Sequence, residues 1–181
     1  MARTRTDRLV AGALVATALL TGAAAADPVT VSWADLRANR PDACAAFLNN
    51  YLNQPKCAQQ AGSARLLSRR YETCAPGTDS LDGRAVRIAG YAHPLEFEFR
   101  DVKTFLLIPP LRQDCNHPPP PLPDQVIAVE FPDGLDVTAD PIWVTGVLRL
   151  QQSKTHLATT AYTLQAKTVT RATIPDVSGG D

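Results

Sequence analysis

Long hydrophobic runs are missing from this 181-residue chain, with one exception at its start, and so are the compact motifs that announce a reaction. No G-x-S-x-G elbow, phosphate-binding Gly-rich loop, dinucleotide fingerprint or C-x-x-C pair occurs. Their absence leaves an enzyme reading without a signature and favours a non-catalytic domain. Net charge is lacking too: 18 basic residues balance 18 acidic ones, which gives a polyanion such as nucleic acid nothing to grip. Histidine is scarce, so His93, His117 and His156 carry the whole supply of imidazole.

The exception is the N-terminus. Arg3, Arg5 and Arg8 precede an uncharged stretch from Leu9 to Leu20, and Ala24 and Ala26 fit an A-x-A cleavage pattern before Asp27. A membrane-spanning helix needs roughly 20 apolar residues, and this core is shorter. Residues 1–26 are therefore expected to be a signal peptide, with the mature domain periplasmic or secreted. No cysteine stands at the cleavage point for lipid attachment, and Thr4 separates Arg3 from Arg5, unlike a twin-arginine signal. Cleavage would remove Arg3, Arg5 and Arg8 against Asp7, leaving 15 basic and 17 acidic residues from the original 18 of each. The remaining 155 residues (181 less 26) suit a single core.

From Trp33 to Cys74 the composition is helical and irregular, broken by Pro41 and Pro55. Ser32 is expected to cap a short helix over Trp33–Leu36. Asp42 is expected to cap a second, carrying Cys44, Phe47, Leu48, Tyr51 and Leu52 on one face. A third piece spans Gly62 to Tyr71, and Ala75-Pro76-Gly77-Thr78-Asp79 is a break.

Beyond the break the period changes to two. Strands are expected at Ala85–Tyr91, with Val86 and Ile88 inward, and at Phe105–Ile108. A third, Val126–Phe131, is closed by Pro132-Asp133-Gly134. The fourth, Ile142–Leu150, has Ile142, Val144, Leu148 and Leu150 inward; the fifth, Tyr162–Val169, has Tyr162, Leu164 and Ala166 inward. In Leu95-Glu96-Phe97-Glu98-Phe99 a solvated face of Glu96, Glu98 and Arg100 is one reading, which the alternation supports for Glu98 and leaves open for Glu96. Gly90 and Gly146 interrupt strands where a small barrel needs bulges or sharp coiling. The fold class is mainly β with an N-terminal helical segment: a small five-stranded OB-like barrel, with an open β-sandwich as the alternative. The boundaries are 27–80 for the cysteine-containing helical segment, 81–172 for the barrel, and 173–181 for a disordered tail.

Cys44, Cys57, Cys74 and Cys115 are even in number, which in an oxidising compartment suggests two disulfides in one of three pairings. Against this stands Asp114-Cys115-Asn116-His117, followed by Pro118-Pro119-Pro120-Pro121. In an extended loop, side chains at i and i+2 share a side, and thiolate with imidazole is a preferred pair for zinc or copper. His93 and Glu96, at the end of the first strand, are candidate further ligands. Cys115, His117 and Asp114 also supply the residue types of a cysteine-dependent hydrolase, but neighbours on one short loop are poorly placed for it.

Several of these stretches resemble a family of exported bacterial proteins, the domain of unknown function DUF3299. They are Leu81-Asp82-Gly83-Arg84 through Tyr91, Pro94-Leu95-Glu96, Thr104-Phe105-Leu106-Leu107-Ile108-Pro109, the Cys115-Asn116-His117-polyproline loop and Asp140-Pro141-Ile142-Trp143-Val144-Thr145-Gly146. The resemblance runs from Leu81 to Thr170, and Trp33 and Leu36 fit its W-x-x-L element. It implies one small β domain, encoded near envelope ABC-transporter components and sometimes in zinc-responsive operons. It places Cys115 and His117 on the family's C-x-H pair and Glu96 on its P-L-E element. His93 stands where an apolar residue is usual, and the segment with Cys44, Cys57 and Cys74 is a long insertion. If Cys115 stays a thiol, the other three form one bridge; Cys44–Cys57 and Cys74–Cys115 both remain open as pairings.

The expected function is thus a transition-metal (zinc) binding accessory of an envelope transport system, with Cys115, His117, Glu96 and His93 as its ligands. The alternatives are a protein-interaction module with structural disulfides and a cysteine-dependent hydrolase.

Overall fold

The structure, a computed structural model, describes residues 27–53, 70–110 and 121–177. Its strands are β1 (Val29–Thr30), β2 (Ala85–Pro94), β3 (Val102–Ile108), β4 (Ile127–Leu135), β5 (Ile142–Arg149), β6 (Ser153–Lys154), β7 (Thr159–Thr160) and β8 (Tyr162–Arg171). Five of them run β2–β3–β4–β8–β5 and close where β5 pairs back with β2. All neighbours are antiparallel except β4 and β8. The closure excludes the open sandwich and gives the strand order of an OB-type barrel.

Alternation builds the interior. Val86 and Ile88 of β2, Phe105 and Leu107 of β3, Ile127 and Val129 of β4, Val144 and Leu148 of β5, and Tyr162 and Leu164 of β8 meet in one core. Gly90 marks the corner of β2, which pairs with β5 from Ala85 to Gly90 and with β3 from Tyr91 to Pro94. A Cβ at Gly90 would lie 2.7 Å from the Ile108 carbonyl oxygen, so only glycine lets the two strands approach. The register of β5 on β8 shifts between Thr145 and Gly146, the bulge expected there.

Several expectations need correction. Pro132-Asp133-Gly134 does not close the third strand. β4 continues to Leu135, which pairs with Val102 after a register shift, and Gly134 absorbs the irregularity at φ +78. Leu150 is not inward, because β5 ends at Arg149 and the Leu150 N–H turns aside to donate to Asp82 Oδ1 at 2.9 Å. Of the stretch after 172, residues 173–177 are described. Ile174–Val177 form a helical turn with Val177 buried, and Asp176 accepts from the Thr173 N–H and hydroxyl at 2.8 Å each.

The N-terminal segment shares the barrel's core rather than standing apart. Trp33 and Leu36 are buried in it, and Trp33 Nε1 donates to the Ala89 carbonyl at 2.8 Å. Where a helix was expected after Ser32 there is a 3-10 turn over Asp35–Arg37. Ser32 and Asp35 bond reciprocally, with the Ser32 N–H and hydroxyl each 2.7 Å from Asp35 Oδ2. The second helix begins as a 3-10 turn over Asp42–Cys44 and continues as α1 (Ala45–Asn53). Its Cys44 and Leu48 join Cys74, Ala75 and Leu122 in a second apolar cluster, against which Phe47 and Tyr71 pack. The Tyr51 and Leu52 side chains, Cys57, and most of the Gly62–Tyr71 piece lie outside the described residues. No helix among the described residues is long and apolar enough to cross a membrane.

Candidate functional site

Cys44 is bonded to Cys74, closing a loop of sequence separation 30. This is neither Cys44–Cys57 nor Cys74–Cys115; of the three pairings open to four cysteines it belongs to the one that sets Cys57 opposite Cys115. It removes both residues as partners for Cys115, so Cys57 is the one remaining cysteine that can bridge to it within the chain.

Cys115 and His117 lie outside the described residues, but the stems on either side of them do not. Pro109, just past β3, is buried; on the return, Leu122, Pro123 and Asp124 are buried and Pro121 half-buried. Pro123–Gln125 form a 3-10 turn closed by Gln125 Oε1, which accepts from the Leu122 N–H at 3.0 Å. The Pro123 carbonyl accepts from the Ala161 N–H at 2.8 Å. Leu122 packs beside the Cys44–Cys74 bridge.

Asp124 is fully buried, and Arg40 holds its carboxylate bidentately, Nε to Oδ2 at 2.6 Å and Nη2 to Oδ1 at 2.7 Å. Both carboxylate oxygens are thereby satisfied, which is what a buried charge requires. Tyr162, the first residue of β8, donates its hydroxyl to the Leu36 carbonyl at 2.8 Å and accepts from the Thr78 N–H at 2.5 Å. Burial pushes the Tyr162 phenol up to about 12; the charges of Asp124 and Asp79 add to the rise and the Thr78 bond opposes it. The stem of the Cys115–His117 segment is therefore locked to the N-terminal segment and to β8.

Glu96 and His93 are among the described residues. His93 is exposed near the end of β2, opposite Leu106, and Glu96 is exposed in the turn between β2 and β3. β3 runs away from that turn and ends at Ile108, opposite Tyr91, where the Cys115 segment departs. β2 continues for three residues from Tyr91 to Pro94, roughly 10 Å at about 3.3 Å per residue, before the turn that carries Glu96. The turn that carries Glu96 lies at the far end of the β2–β3 pair from the stems, whereas His93, opposite Leu106, is two residues from the Tyr91–Ile108 pair beside which the Cys115 segment departs. Among the described residues no group of three or more His, Cys, Asp and Glu could hold a metal ion.

Two features escaped the sequence reading. The Arg40–Asp124 pair joins residues 84 positions apart, and nothing local announces it. Phe97 and Phe99 do not face a core: β2 stops at Pro94, and both rings are exposed in the turn, Phe97 at 101% of an extended reference and Phe99 at 58%. Trp33 and Leu36, by contrast, have core roles.

Comparison with known proteins agrees with this architecture. The family model described as a protein of unknown function (DUF3299) matches residues 33–171, a wider span than Leu81–Thr170, and it includes the segment carrying Cys44, Cys57 and Cys74. The crystal structure of a DUF3299 family protein from Pseudomonas aeruginosa superposes with a TM-score of 0.53. It is 25% identical, and the match covers 80% of this chain and 96% of that one. No curated protein matches the chain.

Proposed function

We propose, for a chain that belongs to the DUF3299 family, a non-catalytic role outside the cytoplasm: holding a transition-metal ion, zinc first among them, on Cys115 and His117 in the service of an envelope transport system. The observation that carries this reading is the construction of the stems. The segment that carries Cys115 and His117 is flanked by buried residues locked by the Arg40–Asp124 pair and the Cys44–Cys74 bridge, a rigid base of the kind a ligand segment needs. A bridge between Cys44 and Cys74 also fits an oxidising compartment.

Zinc prefers four ligands, and a site with two protein donors leaves positions for water or a partner's side chain. With two protein donors the ion is held openly and can be exchanged, as an accessory that passes metal onward requires.

Counting thiols and metal in the exported, purified protein tests this. Two free thiols, Cys57 and Cys115, and about one zinc per chain that is lost in both Cys115→Ser and His117→Ala are expected. Zero free thiols would mean that Cys115 is bridged to Cys57, and would sink the reading, as would metal retained by both variants.

A further inference from the structure

The end of the barrel opposite those stems presents two aromatic rings that no described residue buries. Phe97 is as exposed as in an extended peptide, and Phe99 is more than half exposed. The turn that carries them is tied down: the Phe99 carbonyl accepts from the Val137 N–H at 2.8 Å, and the Asp101 N–H donates to Asp136 Oδ1 at 3.1 Å. An aromatic ring held in water on an anchored turn opposes the hydrophobic effect, and such exposure marks an interaction site.

The charge around the rings selects the partner. Glu96 and Glu98 flank Phe97, and Asp133, Asp136 and Asp140 are exposed on the neighbouring segments. Asp101 pairs with Lys103 at 3.6 Å, which leaves Arg100 and Arg171 as the opposing charge at this end. An acidic surround repels anionic lipid headgroups and nucleic acid. Projecting rings are knobs rather than platforms, and a knob needs a cavity to enter.

We propose that Phe97 and Phe99 dock into an apolar pocket, rimmed by Lys and Arg, on a partner protein outside the cytoplasm. This interaction surface is independent of the Cys115–His117 site. Two phenylalanines supply about 150–250 Å² each, less than a standard interface buries per side, so the acidic segments complete the contact and the complex is transient. Charge opposite charge speeds the encounter, so association falls as salt rises.

The test places a photo-crosslinking amino acid at position 97 of the full chain, expressed with its export signal in its native cells. A second probe at Lys167, exposed on β8, is the control. The cross-linked peptide is sequenced, and the protein it identifies is purified for binding measurements. The expected result is an adduct specific to position 97 with an apolar peptide whose neighbourhood is rich in Lys and Arg. Binding of that protein should weaken tenfold or more in Phe97→Ala and Phe99→Ala, and also in the charge-reversed Glu96→Lys/Glu98→Lys variant. Since Phe97, Glu96 and Glu98 are exposed, thermal unfolding of their variants should match that of the parent. An adduct with phospholipid, an adduct with a second copy of this chain, equal labelling from positions 97 and 167, or affinity unchanged by the Phe97 and charge-reversed variants would each overturn the proposal.

Discussion

Arg40 grips Asp124 through two bonds of 2.6 and 2.7 Å, and the carboxylate it grips has no exposure to solvent. The pair joins the N-terminal segment to the residues that lead back from Cys115 and His117. Arg40→Ala would leave a buried, unpaired charge and should destabilise the protein by about 3–5 kcal/mol. Arg40→Met with Asp124→Leu should recover most of that loss. Urea unfolding of the parent and the two variants measures both effects.

The bridge between Cys44 and Cys74 constrains the unfolded chain over a separation of 30 residues. Replacing both with serine should lower stability by about 3–4 kcal/mol on the loop-entropy estimate. The parent's unfolding midpoint should fall on adding reductant, and the double variant's should respond much less.

Gly90 and Gly146 leave no room for a methyl group. An added Cβ would stand 2.7 Å from the Ile108 oxygen at Gly90 and 2.1 Å from the Gln165 oxygen at Gly146, and both obstacles are backbone. Each alanine variant should lose about 1–3 kcal/mol, with Gly146→Ala the worse, because overpacked sites must shift their neighbours. Comparison of thermal midpoints ranks them.

Tyr162 couples folding to high pH. Its phenol is raised from an ordinary value of 10.0 to about 12, so the folded state holds the proton more tightly than the unfolded one. Its contribution is fully present below pH 10 and is lost as pH climbs towards 12. Tyr162→Phe should flatten that alkaline decline in a pH series of unfolding curves. It should also lose about 1–3 kcal/mol near neutrality, because the buried Thr78 N–H and Leu36 carbonyl lose a partner.

The barrel strands were legible because one face of each is buried, which imposes a period of two: Val86 with Ile88, and Ile142 with Val144 and Leu148. Strand ends were less so. Pro132-Asp133-Gly134 has the composition of a turn, yet pairing with β3 carries the strand through it. Phe97 and Phe99 keep the alternating pattern after the strand that would bury them has ended at Pro94. Partnerships across long separations, such as Arg40 with Asp124 and Cys44 with Cys74, are decided by packing that no local window contains. Of the four candidate ligands, Glu96 lies in the turn between β2 and β3 while His93 is two residues from the Tyr91–Ile108 pair, a difference set by strand register that spacing along the chain does not show.

β8 is the last strand among the described residues, and it sits between β4 and β5, parallel to the first and antiparallel to the second. A polypeptide emerging from its N-terminus, whether from a ribosome or through a translocation pore, therefore cannot seal the cylinder until residues near Arg171 are free. Until then β4 and β5 each carry an unpaired edge open to wrong pairing with other nascent chains. Truncation before Tyr162 would remove the keystone rather than trim the rim, and a chaperone guarding this chain in transit would be needed up to its final stave.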